Sequence, residues 1–159
     1  MYLKEFEARW SDIDANRHLA NSAYINFMSH TRMSFLIEHG IDQRVMAKYN
    51  IGPVIFHEHV YYFKEVFQGA KIRVSFELGG VSEDGTFFKF IHNFYDHKGR
   101  NLAYCEMQGA WLNLGTRKLS PLPESLIPMM DKAPKTADYK ILTKEDMRNT
   151  KVVPRNLEA

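Results

Sequence analysis

The chain has 159 residues, 45% of them hydrophobic and 13% aromatic, which suits one domain with a sizeable core and leaves little room for a second. Its formal charge of +2 is far from the basic excess of a nucleic-acid binder, yet would not repel an anionic small ligand. Cys105 is the single cysteine, so an intrachain disulfide and a cysteine-rich zinc site are excluded and a reducing, cytoplasmic setting is expected.

The first residues, MYLKEFEARW, alternate. Tyr2, Phe6, Ala8 and Trp10 share one parity and Glu5, Glu7 and Arg9 the other, the period of a strand with one apolar face. No long apolar stretch occurs here or later, so neither a secretory signal nor a membrane span is expected. A polar cluster, Ser11 to Asn21, follows. Then SAYINFMSHTRMSFLIEHG repeats apolar residues at helical spacing, with Tyr24, Phe27, Met28, Phe35 and Leu36 on a wide stripe. Asn21 or Ser22 fits the N-cap and Gly40 the glycine that ends a helix. Four strand-like runs come next: 52–66, 70–78, 85–96 and 100–114. In the second, Ile72, Val74, Phe76 and Leu78 oppose Lys71, Arg73, Ser75 and Glu77. Glycine-bearing turns separate the last three. Strand, long helix and four meandering strands predict an α+β layer pair, a five-stranded antiparallel sheet covering one helix. After Leu114 five prolines interrupt the chain, and only TKED at Thr143 hints at a short helix. The expected division is a folded unit over 1–115 and an extended C-terminal tail over 116–159 that packs on that unit or trails from it.

The polar cluster SDIDANRHLANSAY lies just before the helix, where unpaired backbone N–H groups and the positive end of the helix dipole meet. Such a terminus stabilises an oxyanion, and a carboxylate beside it can activate water or attack a carbonyl. Asp14 is the candidate base or nucleophile. The amides around Asn21 to Ala23, with Ser22 and Tyr24 near them, are the candidate oxyanion and substrate contacts. Asn16 and His18 can orient groups or shuttle a proton. Asp and Asn also serve loops and caps on their own account.

The D-x-D-x-N-x-H-x-x-N element from Asp12 to Asn21, set between a first strand and a long helix, resembles that of hotdog-fold thioesterases. It is similar both to the 4-hydroxybenzoyl-CoA thioesterase group and to plant acyl-carrier-protein thioesterases. The resemblance spans about residues 2–115. It implies Asp14 as the catalytic acid and an amide near Asn21 as carbonyl activator. From the plant enzymes it implies Asp14, Asn16 and His18 together with a later acid, which FKEVFQGAK supplies as Glu65. Those enzymes carry two hotdog units in tandem and this chain one. That difference favours an acyl-CoA substrate and a homodimer or dimer of dimers, with no cofactor. The same fold also serves acyl-thioester hydratases, whose D-x-N-P-x-H-like motif differs here at Arg17-His18, and non-catalytic acyl-thioester binders.

Other residues invite weighing. His57 and His59 share a strand face, a spacing metal sites use, but a third ligand is not evident and no metal is expected. Either histidine could instead line an acyl pocket. Lys98 and Arg100, on the DHKGRN turn, are candidates for the phosphates of coenzyme A. Cys105 sits in an alternating run and reads as a buried structural thiol. FFKFIHNFY could stack bases, but without a basic surface core packing explains it better.

Overall fold

A computed structural model describes residues 1–148 and 151–157; the remaining four, which belong to the predicted tail, lie outside the described residues. The order is β1 (Tyr2–Glu7), α1 (Asn21–Glu38), α2 (Gln43–Tyr49), β2 (Ile51–Tyr62), β3 (Lys71–Ser82), β4 (Phe87–Asp96), β5 (Asn101–Asn113), α3 (Ile127–Met130) and β6 (Lys135–Leu142). Five strands form an antiparallel path in the order β1-β3-β4-β5-β2. The sheet has a sixth strand where five were expected: β6 runs parallel to β3, with Gly80 opposite Lys140 and Val81 opposite Ile141.

The alternation in β3 is realised in the core, where Ile72, Val74, Phe76 and Leu78 are at most 1% exposed. The apolar stripe of α1 lies on that face. Phe35 packs on Phe76 with ring centroids 4.9 Å apart, Tyr24 on Phe94 at 5.0 Å, and Phe27 stacks on Phe6 at 4.7 Å. Helix α1 ends at Glu38, and Gly40 takes φ +87°, a left-handed turn that suits glycine.

Several expectations are corrected. The N-cap of α1 is Ala20, not Asn21 or Ser22, and no side chain among the described residues caps it. Trp10 leaves the strand parity and is 78% exposed. The cause is local: the Arg9 N–H and guanidinium hold the Asp12 carboxylate at 3.0–3.1 Å and wind Trp10–Asp12 into a 3-10 turn. The strand expected to reach residue 66 stops at Tyr62, because the Phe63 and Lys64 N–H groups both turn to the Leu102 carbonyl. TKED forms a single 3-10 turn, Glu145–Met147, in which the Thr143 hydroxyl and N–H donate to Asp146. Helix α2, capped by Asp42 on the Val45 N–H, has no counterpart among the expected elements.

The stretch from Leu122 to Leu142 is tied into the core. Leu122, Leu126, Met130, Ala133 and Leu142 are all at most 5% exposed. They close the end of the sheet where β3 finishes and β4 begins. The opposite end, where α1 starts and β2 and β4 finish, stays open and carries the polar cluster.

Candidate active site

Residues 13–19 form a tight loop with Ile13 bridged to Leu19. The Asp14 N–H donates to the His18 carbonyl and the Arg17 N–H to the Asp14 carbonyl, both at 3.0 Å. Arg17 takes φ +65°, a conformation costly for a residue with a Cβ. That turn brings His18 back over Asp14, with His18 Nδ1 3.7 Å from Asp14 Oδ1. The Asn16 backbone N–H donates to the same Oδ1 at 2.9 Å and fixes the carboxylate's direction. On the other side of the imidazole, Nε2 lies 3.9 Å from Glu65 Oε1. The loop is anchored to the segment carrying Glu65 by the Leu19 N–H, which donates to the Val66 carbonyl at 2.7 Å. His18 therefore stands between two carboxylates from distant parts of the chain.

These groups border a cleft of about 360 Å³. Asp14, His18 and Leu19 form one wall, Asn21 and Tyr24 of α1 the floor, and Tyr62 to Glu65 the opposite wall. The Ala23 N–H folds back on the Ala20 carbonyl, so the open amides of the uncapped helix are those of Asn21 and Ser22. Tyr24 meets Tyr62 edge to face at 5.0 Å. Burial, with some help from Tyr62, pushes the Tyr24 hydroxyl up to about 12, so it is a neutral donor at any ordinary pH.

The remaining sequence candidates separate. Asn16 is exposed; its contribution to the cleft is its N–H rather than its side chain. Ser22 is exposed and its side chain is not among the cleft walls. The His57 and His59 rings lie tilted against each other at 5.0 Å, outside the cleft lining, and His59 faces Glu106 at 3.9 Å. No group of three metal-ligating side chains occurs among the described residues. Lys98 and Arg100 lie on the β4–β5 turn at the open end of the sheet. Arg100 is engaged by Asp96 at 2.7 Å. Desolvation opposes the ionised Asp96, but the Arg100 and Lys98 N–H groups and the Arg100 guanidinium outweigh it and hold the carboxyl at about 2. Cys105 is buried, and burial pushes its thiol up to about 12, away from nucleophile character. Tyr62, Phe63 and Lys64 were missed as wall residues because their strand-like pattern concealed the point where the chain leaves the sheet.

The profile of the thioesterase-like superfamily matches residues 8–129. The chain belongs to that superfamily. Among solved structures, a Staphylococcus aureus hypothetical protein in complex with CoA superposes with a TM-score of 0.76 at 18% identity, covering 96% of this chain and 95% of that one. A 1,4-dihydroxy-2-naphthoyl-CoA thioesterase from Synechocystis gives 0.73 at 14% identity, covering 82% of this chain and 96% of that one. A putative oleoyl thioesterase from Lactobacillus plantarum gives 0.78 at 12% identity, covering 98% of this chain and 54% of that one. At these identities the likeness is one of fold, the hotdog fold. No match is found among curated proteins. None of the described helices is long and apolar enough to cross a membrane.

Proposed function

We propose that this superfamily member hydrolyses an acyl-CoA thioester to the free acid and coenzyme A. The observation that carries the reading is the convergence of Asp14, His18 and Glu65 beside the uncapped N-terminus of α1 in one cleft. The thioester carbonyl points at the Asn21 and Ser22 amides, which receive the negative charge that develops on its oxygen. Asp14, steered by the Asn16 N–H, either takes a proton from the attacking water or attacks the carbonyl carbon to give a mixed anhydride that water then cleaves. His18 orients Asp14 and passes a proton toward Glu65. The coenzyme A thiolate leaves without strong acid catalysis.

A hydratase of the same fold is the alternative. Its motif would place proline near Arg17, and the φ of +65° there is one that a proline ring forbids. A binder without turnover is the third possibility. A panel of acyl-CoA thioesters assayed for free thiol separates the three. Thiol release supports hydrolysis, loss of an enoyl-CoA chromophore without thiol supports hydration, and binding without either supports a carrier role.

The proposed assembly is a homodimer or dimer of dimers in the cytoplasm. Strand β2 is a sheet edge that carries Phe56 at 44%, Tyr61 at 54% and Tyr62 at 50% exposure. Edges of this length are normally covered. A monomeric mass by light scattering at micromolar concentration would defeat this assignment.

A further inference from the structure

Helix α1 supplies Tyr24 and strand β2 supplies Tyr62 to the cleft, and the two rings meet edge to face. Further along lies a second cavity of about 210 Å³ whose walls include Ser29, Arg32, Met33 and Leu36 of α1 and Ile55 of β2, with Trp111 behind. Apart from Ser29 and Arg32 those walls are apolar. Arg32 is a cation on the inner side of a helix, largely withdrawn from water, and it makes no ion pair with any carboxylate among the described residues. Glu58 of β2 acts on it only at longer range.

The Arg32 side chain is held in place. Its Nη1 lies 3.4 Å from Nε2 of His92, which is completely buried. His92 Nδ1 donates to the Ser75 carbonyl at 2.6 Å, which leaves Nε2 as the acceptor for the guanidinium. Burial, and secondarily the neighbouring Arg32, keeps this imidazole neutral by lowering it to about 3. One edge of the guanidinium is thus spent on a neutral anchor and the planar fork keeps donors for a further partner.

We infer that this cavity is the distal acyl subsite and that Arg32 selects acyl groups ending in a carboxylate. The inference rests on the thioester-hydrolysis reading above and names its substrate class. A guanidinium fork in an apolar pocket matches a carboxylate in two parallel hydrogen bonds, and a terminal methyl leaves the same cation desolvated and unpaired. Asn21 and Arg32 are separated by about 16 Å along the helix axis, and the arginine leans back toward the N-terminus. The remaining span, on the order of 10 Å, suits a medium-length chain.

The test is a matched pair of CoA thioesters of about six to twelve carbons, one methyl-ended and one carboxylate-ended, assayed for thiol release. The native protein is expected to favour the carboxylate-ended member in kcat/KM. In Arg32→Met that ratio is expected to fall by roughly ten- to a hundredfold, the worth of a charge-assisted pair, and to recover in part in Arg32→Lys. Melting curves of both variants verify folding. Equal turnover of the two thioesters by the native protein overturns the inference and leaves hydrolysis standing. So does a preference that survives in Arg32→Met, or one lost only together with oligomeric state. Should neither thioester turn over while other acyl-CoA thioesters of the panel do, the inference is overturned and hydrolysis stands; should the whole panel fail, the hydrolysis reading fails. Calorimetric binding of the same pair, which needs no turnover, then decides on Arg32: preference for the carboxylate-ended ligand supports the subsite and equal binding overturns it.

Discussion

Asp14→Asn removes a charge and little else. The Asn16 N–H donates to Asp14 Oδ1 at 2.9 Å, and an asparagine carbonyl accepts the same bond, so the 13–19 loop keeps its shape. The two backbone hydrogen bonds that close the loop, at 3.0 Å, do not involve the side chain. The stability cost is therefore expected to stay below about 1 kcal/mol, a shift of roughly 2–4 °C or less in Tm. Under the proposed mechanism, catalysis loses a carboxylate that is steered by a backbone donor and lines the same cleft as Asn21 at the open helix terminus. A positioned base contributes about a hundredfold or more, roughly 3 kcal/mol of barrier, and that is the expected fall in kcat. Free-thiol release from the best acyl-CoA, with a melting curve on the same sample, measures both quantities. Asp12→Asn supplies the contrast. Asp12 is claimed by the Arg9 N–H and guanidinium, which hold its carboxyl below the usual range, the guanidinium bonds leading and burial opposing. That variant is expected to lose more in stability than in rate. A well-folded Asp14→Asn protein with near-native kcat would refute the mechanism.

Glu65→Gln is expected to reduce kcat less than Asp14→Asn, because Glu65 is 65% exposed and acts through His18 at 3.9 Å; an equal loss would make both acids catalytic. His92 is depressed from 6.5 to about 3, so between these values the unfolded chain binds more protons than the folded one. Its contribution is complete above about pH 6.5 and is lost progressively as pH falls toward 3, by up to ~1.4 kcal/mol per pH unit; denaturant titrations from pH 7 to pH 4 are expected to show a shallower decline for His92→Gln than for the native chain. In Gly80→Ala the new Cβ would lie 2.8 Å from both the Lys140 carbonyl and a Leu142 methyl. That crowding is expected to cost about 1–3 kcal/mol and to speed proteolysis within β6, and an unchanged digestion pattern would contradict the docking of β6 on β3.

Features resting on nearest-neighbour chemistry were legible in the amino-acid order. The inward set of β3 follows from period two, the helical stripe of α1 from Tyr24 to Leu36 follows from period 3.6, and Gly40 marks the end of that helix. The carboxylate, amide and imidazole cluster ahead of α1 was likewise visible, since Asp14, Asn16 and His18 are close in the chain. Trp10 was misplaced because its parity is broken by a side-chain contact, Arg9 with Asp12, that periodicity does not register. The end of β2 at Tyr62 was invisible because the strand-like run continues through Phe63, while the N–H groups of Phe63 and Lys64 are captured by the Leu102 carbonyl. What only the tertiary structure decided are the meetings of residues far apart in the chain. These are Glu65 with His18 across the cleft, Arg32 with His92 beneath the helix, and β6 alongside β3. Each depends on which sheet edge and which helix face come together, and that is set by burial of the whole apolar surface rather than by any local run of residues.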